Sequence, residues 1–150
     1  MTDRLRILVV NWLDRENPQS GGAETHLHEV FGRLAARGHR FRTRCDTEVI
    51  LHLYEERGAA CLDELRGMFA FALWDGKRRR LFCARDRLGV KPFFYRFRGG
   101  DFIFASGPEP ILRHPGVERR VDPKALDLYL TYQYVPAPDS IFEGMRKLPP

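Results

Sequence analysis

The sequence predicts an α+β fold in which a strand–loop–helix opening of the parallel α/β kind leads into a body of helices and antiparallel strands. Three observations carry this. An aliphatic run from Leu5 to Asn11 is followed by a polar loop and an amphipathic segment. No second aliphatic strand follows that segment, where a parallel unit would need one. Two hairpin signals then occur in succession, each between strand-like runs.

Taken in order, Leu5 to Asn11 reads as a buried strand flanked by Arg4 and Arg6. Asp14 to Gly22 is a loop with Pro18 and the pair Gly21-Gly22. From Ala23 to Arg37, Leu27, Val30, Phe31 and Leu34 recur at helical spacing, and Gly38 closes the helix. Val49, Ile50, Leu53 and Tyr54 predict a second helix over Asp46 to Arg57, stopped by Gly58, and Ala60 to Leu65 predicts a short helical turn. Met68 to Trp74 and Arg80 to Ala84 flank Asp75-Gly76-Lys77, an Asp-Gly hairpin signal. Phe93 to Phe97 and Phe102 to Ala105, joined through Gly99-Gly100, form a second, aromatic hairpin. Asp122 as N-cap and Pro123 at the first helical position start a helix to about Tyr132. The tail through Pro136, Pro138, Pro149 and Pro150 reads as an extended connector.

Composition bounds the function. The 150 residues, 43% hydrophobic and 30% charged, suit one ordinary core. Lys plus Arg number 25 against 20 Asp plus Glu, a net charge of +5. That is too mild for a dedicated polyanion binder, so no nucleic-acid partner is expected. Cys45, Cys61 and Cys83 include no Cys-x-x-Cys pair, so neither a disulfide framework nor a zinc ribbon is expected, and a reducing cytoplasm fits. The apolar stretch Ile7 to Val10, with Trp12 and Leu13, falls far short of the roughly 20 residues that span a bilayer. No targeting segment and no membrane anchor are expected.

The motifs each have a structural and a functional reading. Gly21-Gly22-Ala23-Glu24 is either a tight turn with a favourable first-turn acid or an anion cradle at a helix start. Asp46 is either a helix cap or a carboxylate offered to an amino-acid ammonium. Arg78-Arg79-Arg80 beside a hairpin reads as a solvated face. His26 and His28 face different directions on a helix, the five histidines form no cluster, and no metal site is expected.

Two resemblances enter on longer stretches. Arg6-Ile-Leu-Val-Val-Asn11-Trp12, Asn17 to Glu24, His28-Glu29 and Leu34-Ala-Ala-Arg-Gly-His39 resemble the opening of retaining glycosyltransferases with two Rossmann-like domains, over residues about 4–39. The domain that grips the sugar nucleotide in that family has no counterpart in these residues, so glycosyltransferase activity is not expected. Asp46-Thr-Glu-Val-Ile-Leu51, Leu65 to Asp75, Ala84-Arg-Asp86-Arg87-Leu-Gly89-Val-Lys-Pro92, Phe104-Ala-Ser106 and Ile141-Phe142-x-Gly144-x-x-Lys147-Leu148-Pro149-Pro150 resemble glutamine-hydrolysing asparagine synthetase, over residues about 37–150.

This second resemblance implies a class II glutamine amidotransferase domain. Its fold is an N-terminal-nucleophile αββα sandwich, here partial and preceded by the Rossmann-like βα unit. The expected organisation is a βα unit over 1–40, the later part of the amidotransferase domain over 41–115, and over 116–150 a connector leading to an absent synthetase domain. It further implies that Asp46 holds the amino group of glutamine. The family's nucleophile is an N-terminal cysteine using its own amine as base, but here Met1 is followed by Thr2 and Asp3. The family's carboxylate-binding arginine and Asn-Gly-Glu oxyanion loop do not occur upstream of Asp46, and no catalytic residue is assigned. Gly107 stands where the family has Glu, which questions the local helix start. Cys45 occupies a small-residue position and is expected to be packed, as are Cys61 and Cys83.

ATP and Mg²⁺ are implied for the full-length family only; the Ser-Gly-Gly loop followed by Asp-Ser that serves ATP is not among these 150 residues. The reading is therefore an inactive fragment or chimera joined near Ala36 to Phe41, with weak or no glutamine binding. A non-catalytic amino-acid-binding or interaction module and a glycosyltransferase fragment are the alternatives. A sandwich lacking strands is expected to aggregate in isolation.

Overall fold

The computed structural model describes residues 6–9, 22–43 and 45–150, with side chains from Glu29 onward. The chain divides into two compact units, one holding the described residues up to Asp86 and the other Arg87–Pro150.

In the first unit a three-stranded sheet has the order β1-β2-β3, formed by β1 (Arg6–Val9), β2 (Ala70–Asp75) and β3 (Arg80–Arg85). β1 precedes α1 (Gly22–Ala36) in the chain, but it pairs antiparallel with β2, Arg6 opposite Trp74 and Val9 opposite Phe71. The parallel opening expected of a Rossmann-like unit is therefore not formed, because the strand that β1 pairs with is the first arm of the following hairpin. Gly21 and most of the Gly-rich turn lie outside the described residues, as do Asn11, Trp12, Thr2 and the side chains of His26 and His28.

α2 (Asp46–Arg57) has the predicted bounds. Gly58 ends it with φ 59°, a conformation that favours glycine, and its N–H closes on the Tyr54 carbonyl. A 3₁₀ turn over Gly58–Asp63 follows. Val30 and Leu34 of α1 pack with Val49, Ile50, Leu53 and Tyr54 of α2, with Cys61 and Leu65, and with Phe71 and Leu73 of β2 and Ala84 of β3. This one core runs through α1 and α2, on both sides of residues 36–41. The β2–β3 register places Asp75 opposite Arg80, so the Asp-Gly signal opens a four-residue turn, with the positive φ at Arg79.

In the second unit β4 (Phe94–Arg98) and β5 (Asp101–Ala105) form the predicted aromatic hairpin, with Arg98 opposite Asp101. Gly99 and Gly100 have φ of 63° and 89°, as a two-residue primed turn requires. Phe93 and Phe104 stack at 5.4 Å and Tyr95 and Phe102 at 5.7 Å. α3 (Pro108–Leu112) starts at Gly107, which serves as an N-cap of extended backbone without a side-chain hydrogen bond. α4 (Pro123–Tyr132) carries the predicted cap: Asp122 Oδ1 accepts from the N–H groups of Lys124 at 2.9 Å and Ala125 at 3.4 Å.

The tail differs from an extended connector. Its residues Met145–Lys147 form β6, which pairs antiparallel with β4 in a sheet of order β5-β4-β6. Further hydrogen bonds hold it, Leu148 N–H to Phe93 and Asp122 N–H to Ile141, both at 2.9 Å. The open backbone groups of β4 explain this, since a strand edge recruits any extended segment within reach.

Candidate functional site

The site suggested by the sequence lies at the start of α2, next to residues 41–43 and Cys45. Cys45 is the N-cap, with φ −84° and ψ 137°, and makes no side-chain cap hydrogen bond. Asp46 is thus the first helical residue rather than the cap. Its half-buried carboxylate accepts from the Thr47 N–H at 2.7 Å and from the Cys45 thiol at 3.3 Å, both through Oδ1. The positive end of the α2 dipole lies beneath it.

The group that fixes this turn is Glu48, whose role sequence reading missed. Its Oε1 accepts from the Arg42 N–H at 2.8 Å, and its Oε2 accepts from the Thr43 N–H at 2.8 Å and the Thr43 hydroxyl at 2.6 Å. The acid at the third helical position thus reaches back past the N-cap to two earlier amides, while the N-cap amide of Cys45 donates to the Thr43 hydroxyl at 3.2 Å, a variant of the capping box. The signal was present as Thr43 followed by an acid at the third position of the helix. Burial acts to raise the Glu48 pKa, but the Thr43 hydroxyl and the Arg42 and Thr43 amides outweigh it and hold the carboxyl below its ordinary range.

Cys45, expected to be packed, is exposed, since an N-cap side chain stands outside the helix barrel. Cys61 is buried and Cys83 half-buried, and burial pushes each thiol up to about 11, as inert core thiols.

The histidines do cluster, contrary to the sequence reading. His39 and His52 stand 4.6 Å apart between ring centroids, because the turn after α1 returns the chain to α2. With Glu55 they offer ligand atoms within 4.8 Å of one another. Ligands about 2.1 Å from a zinc ion would lie closer together than that. His52 Nδ1 meets Glu55 Oε2 within the cluster and His39 Nε2 meets Glu56 Oε1 outside it, each at 2.9 Å, while His52 Nε2 is buried without a hydrogen-bond partner. Hydrogen bonding from His39, outweighing desolvation, lowers the Glu56 pKa. The His39–Glu56 contact joins the segment after α1 to α2.

Nor is the arginine run a solvated face alone. Arg78 donates to Asp75 Oδ2 at 2.8 Å, and Arg80 donates to the Tyr54 hydroxyl at 3.3 Å, which itself donates to Asp75 Oδ2 at 3.1 Å. Asp75 is the centre of a structural network beneath the hairpin turn.

The sequence profile of the glutamine amidotransferase domain matches residues 25–150. The chain belongs to the glutamine amidotransferase family. It is 48% identical over 118 residues to asparagine synthetase [glutamine-hydrolyzing] 3 of Bacillus subtilis, covering 78% of this chain and 19% of that protein. It is 43% identical over 108 residues to a putative asparagine synthetase [glutamine-hydrolyzing] 2 of Methanocaldococcus jannaschii, covering 71% and 21%. The chain therefore spans about one fifth of the length of these curated relatives. Among solved structures, glutamine phosphoribosylpyrophosphate amidotransferase from Bacillus subtilis, complexed with ADP and GMP, superposes with a TM-score of 0.52 at 24% identity, covering 64% of this chain and 23% of that one. This likeness shows the fold, part of an α+β N-terminal-nucleophile amidotransferase.

The family match starts inside α1, upstream of the join expected near Ala36 to Phe41, and it takes in residues that the sequence reading gave to a glycosyltransferase. The glycosyltransferase chimera is not supported. No helix among the described residues is long and apolar enough to cross a membrane.

Proposed function

We propose that this glutamine amidotransferase chain is of the asparagine-synthetase type, and that Asp46 is the group that receives the α-ammonium of glutamine. The observation that carries this is the turn itself: Glu48 holds two loop amides and the Thr43 hydroxyl, which places the Asp46 carboxylate at a fixed position on the first turn of α2. A fixed carboxylate can orient an ammonium without the entropy of ordering a mobile loop. The 48% identity to an asparagine synthetase supports the type.

The same reading holds that this sequence does not release ammonia by itself. Amide cleavage of this kind needs a nucleophile with a base beside it, and no cysteine precedes Cys45 in these 150 residues. ATP and Mg²⁺ belong, in this reading, to the remaining length of the relatives. No step of this chain runs through them.

The test combines ammonia release from glutamine with a glutamine titration followed by amide NMR shifts at Asp46 and Thr47. The expected result is no ammonia above background and weak shifts that disappear in Asp46→Asn. Ammonia release by the chain overturns its inactivity, and shifts that survive in Asp46→Asn overturn the role of Asp46. Saturable heat with glutamine that persists in Asp46→Asn, without ammonia, instead favours a non-catalytic amino-acid-binding module that binds elsewhere.

A further inference from the structure

The second unit holds a buried cation without a partner. Arg96 lies on β4, the central strand of its sheet, opposite Ile103 of β5 and Met145 of β6. It is 8% exposed. Among the described residues no hydrogen bond or ion pair reaches its guanidinium, although five N–H donors are available there. The side chain forms part of the lining of a cavity of about 200 Å³. Gly144 lines the cavity beside it: a Cβ added at that position would stand 3.8 Å from Arg96 Nε, in ordinary van der Waals contact, so a side chain there would cover this face of the guanidinium.

The charges around the cavity point to the sign of its occupant. Arg98, Arg120, Glu118 and Glu143 complete the charged lining. Glu118 Oε2 is 3.2 Å from Arg120 Nε, so these two neutralise each other. Arg96 and Arg98 then face Glu143 alone, which leaves one positive charge in excess. A largely buried guanidinium that reaches solvent only through a cavity favours an anion there, and its planar fork fits two oxygens of one oxoanion. The volume falls below the roughly 300 Å³ at which pockets for larger ligands begin, so a nucleotide does not fit, whereas a single oxoanion group does.

We propose that this cavity is an oxoanion site, with Arg96 as its floor, that takes the carboxylate or phosphate group of a small molecule. The site lies in the other compact unit from Asp46 and does not depend on the glutamine reading.

The test follows the backbone amides of Phe97 and Gly144 by NMR as the full 150-residue chain is titrated with inorganic phosphate or with acetate at constant ionic strength, against a chloride control. The expected result is a saturable shift with at least one oxoanion and none with chloride. Saturation by phosphate alone assigns a phosphate group, and saturation by acetate alone a carboxylate. Arg96→Met weakens binding at least about tenfold, as the loss of a hydrogen-bonded ion pair does. Glu143→Gln, which removes the opposing charge, tightens it. No saturable shift with either oxoanion, equal shifts with chloride, or unchanged affinity in a folded Arg96→Met overturns the site. If Arg96→Met does not fold, Glu143→Gln decides, and unchanged or weaker binding in that variant overturns the site.

Discussion

Asp75 and Arg96 are both buried charges, 2% and 8% exposed, and the two compact units treat them in opposite ways. Asp75 is enclosed by donors: the Arg78 N–H at 3.0 Å on Oδ1, with the Arg78 guanidinium at 2.8 Å and the Tyr54 hydroxyl at 3.1 Å on Oδ2. Arg96 meets no acceptor among the described residues. A buried charge with a full complement of partners belongs to the fold, because each partner contributes to keeping the others in place. One left unpaired at the edge of a cavity is better explained by something that arrives from outside. Disturbing Asp75 should therefore damage the protein, and disturbing Arg96 should not.

The largest effect is expected from Asp75→Asn. It removes the counter-charge of Arg78 and a good acceptor for Tyr54 while keeping the shape, so urea unfolding at neutral pH should show a greater loss of stability than in Tyr54→Phe or Arg96→Met. The pH dependence has a definite sign. Hydrogen bonds from the Arg78 guanidinium and N–H hold the Asp75 carboxyl down from its ordinary 3.8 to about 2. The folded chain thus binds this proton less readily than the unfolded chain. The stabilisation is fully present above about pH 4 and is lost as the pH falls from there towards 2. Asp75→Asn removes this contribution, so its stability should fall less steeply over that window than that of the unaltered chain. Equal slopes would place the acid sensitivity elsewhere.

A smaller effect is expected from Tyr54→Phe. The ring stays in the core against Phe82, but the hydroxyl that donates to Asp75 and accepts from Arg80 is lost. Two hydrogen bonds are lost, but Asp75 retains both Arg78 donors and the Arg80 guanidinium turns to water, so the cost is about 1–2 kcal/mol in urea unfolding. A loss as large as that of Asp75→Asn would mean that Tyr54, rather than Arg78, carries the network.

The same contrast explains what could be read from the sequence. α2 was legible to the residue because its apolar spacing, its acidic start and Gly58 all agree, and the Gly99-Gly100 hairpin was legible because its turn needs two positive φ values. The partner of β1 was not, because four aliphatic residues look alike in a parallel or an antiparallel sheet and the choice rests on a hairpin some sixty residues away. β6 escaped notice because Met145–Lys147 has no strand-like alternation, and the free edge of β4 determines its pairing. At the candidate site, Asp46 was named from its motif, whereas the grip of Glu48 on Arg42 and Thr43 needed the loop geometry. Arg96 looked like one of many arginines. Only burial without a partner separates it from the others, and that is a property of the fold.

The smallest stability effect, and the one that separates the two charges most sharply, is expected from Arg96→Met. Methionine retains the unbranched apolar stem that the sheet packs against, and it removes a largely buried guanidinium that no acid of the unit pairs with. Stability in urea without added oxoanion should therefore stay unchanged or rise by up to about 1 kcal/mol, opposite in sign to Asp75→Asn. In phosphate or acetate the order should reverse, since an anion that binds only the folded chain stabilises the unaltered protein and leaves the variant behind. A loss near 1 kcal/mol without oxoanion would show that Arg96 finds an internal partner in solution, with Glu143 the acid available on the cavity wall. In that case Glu143→Gln should reproduce the loss and the double variant should add nothing to it, whereas an open site predicts no such coupling between the two residues.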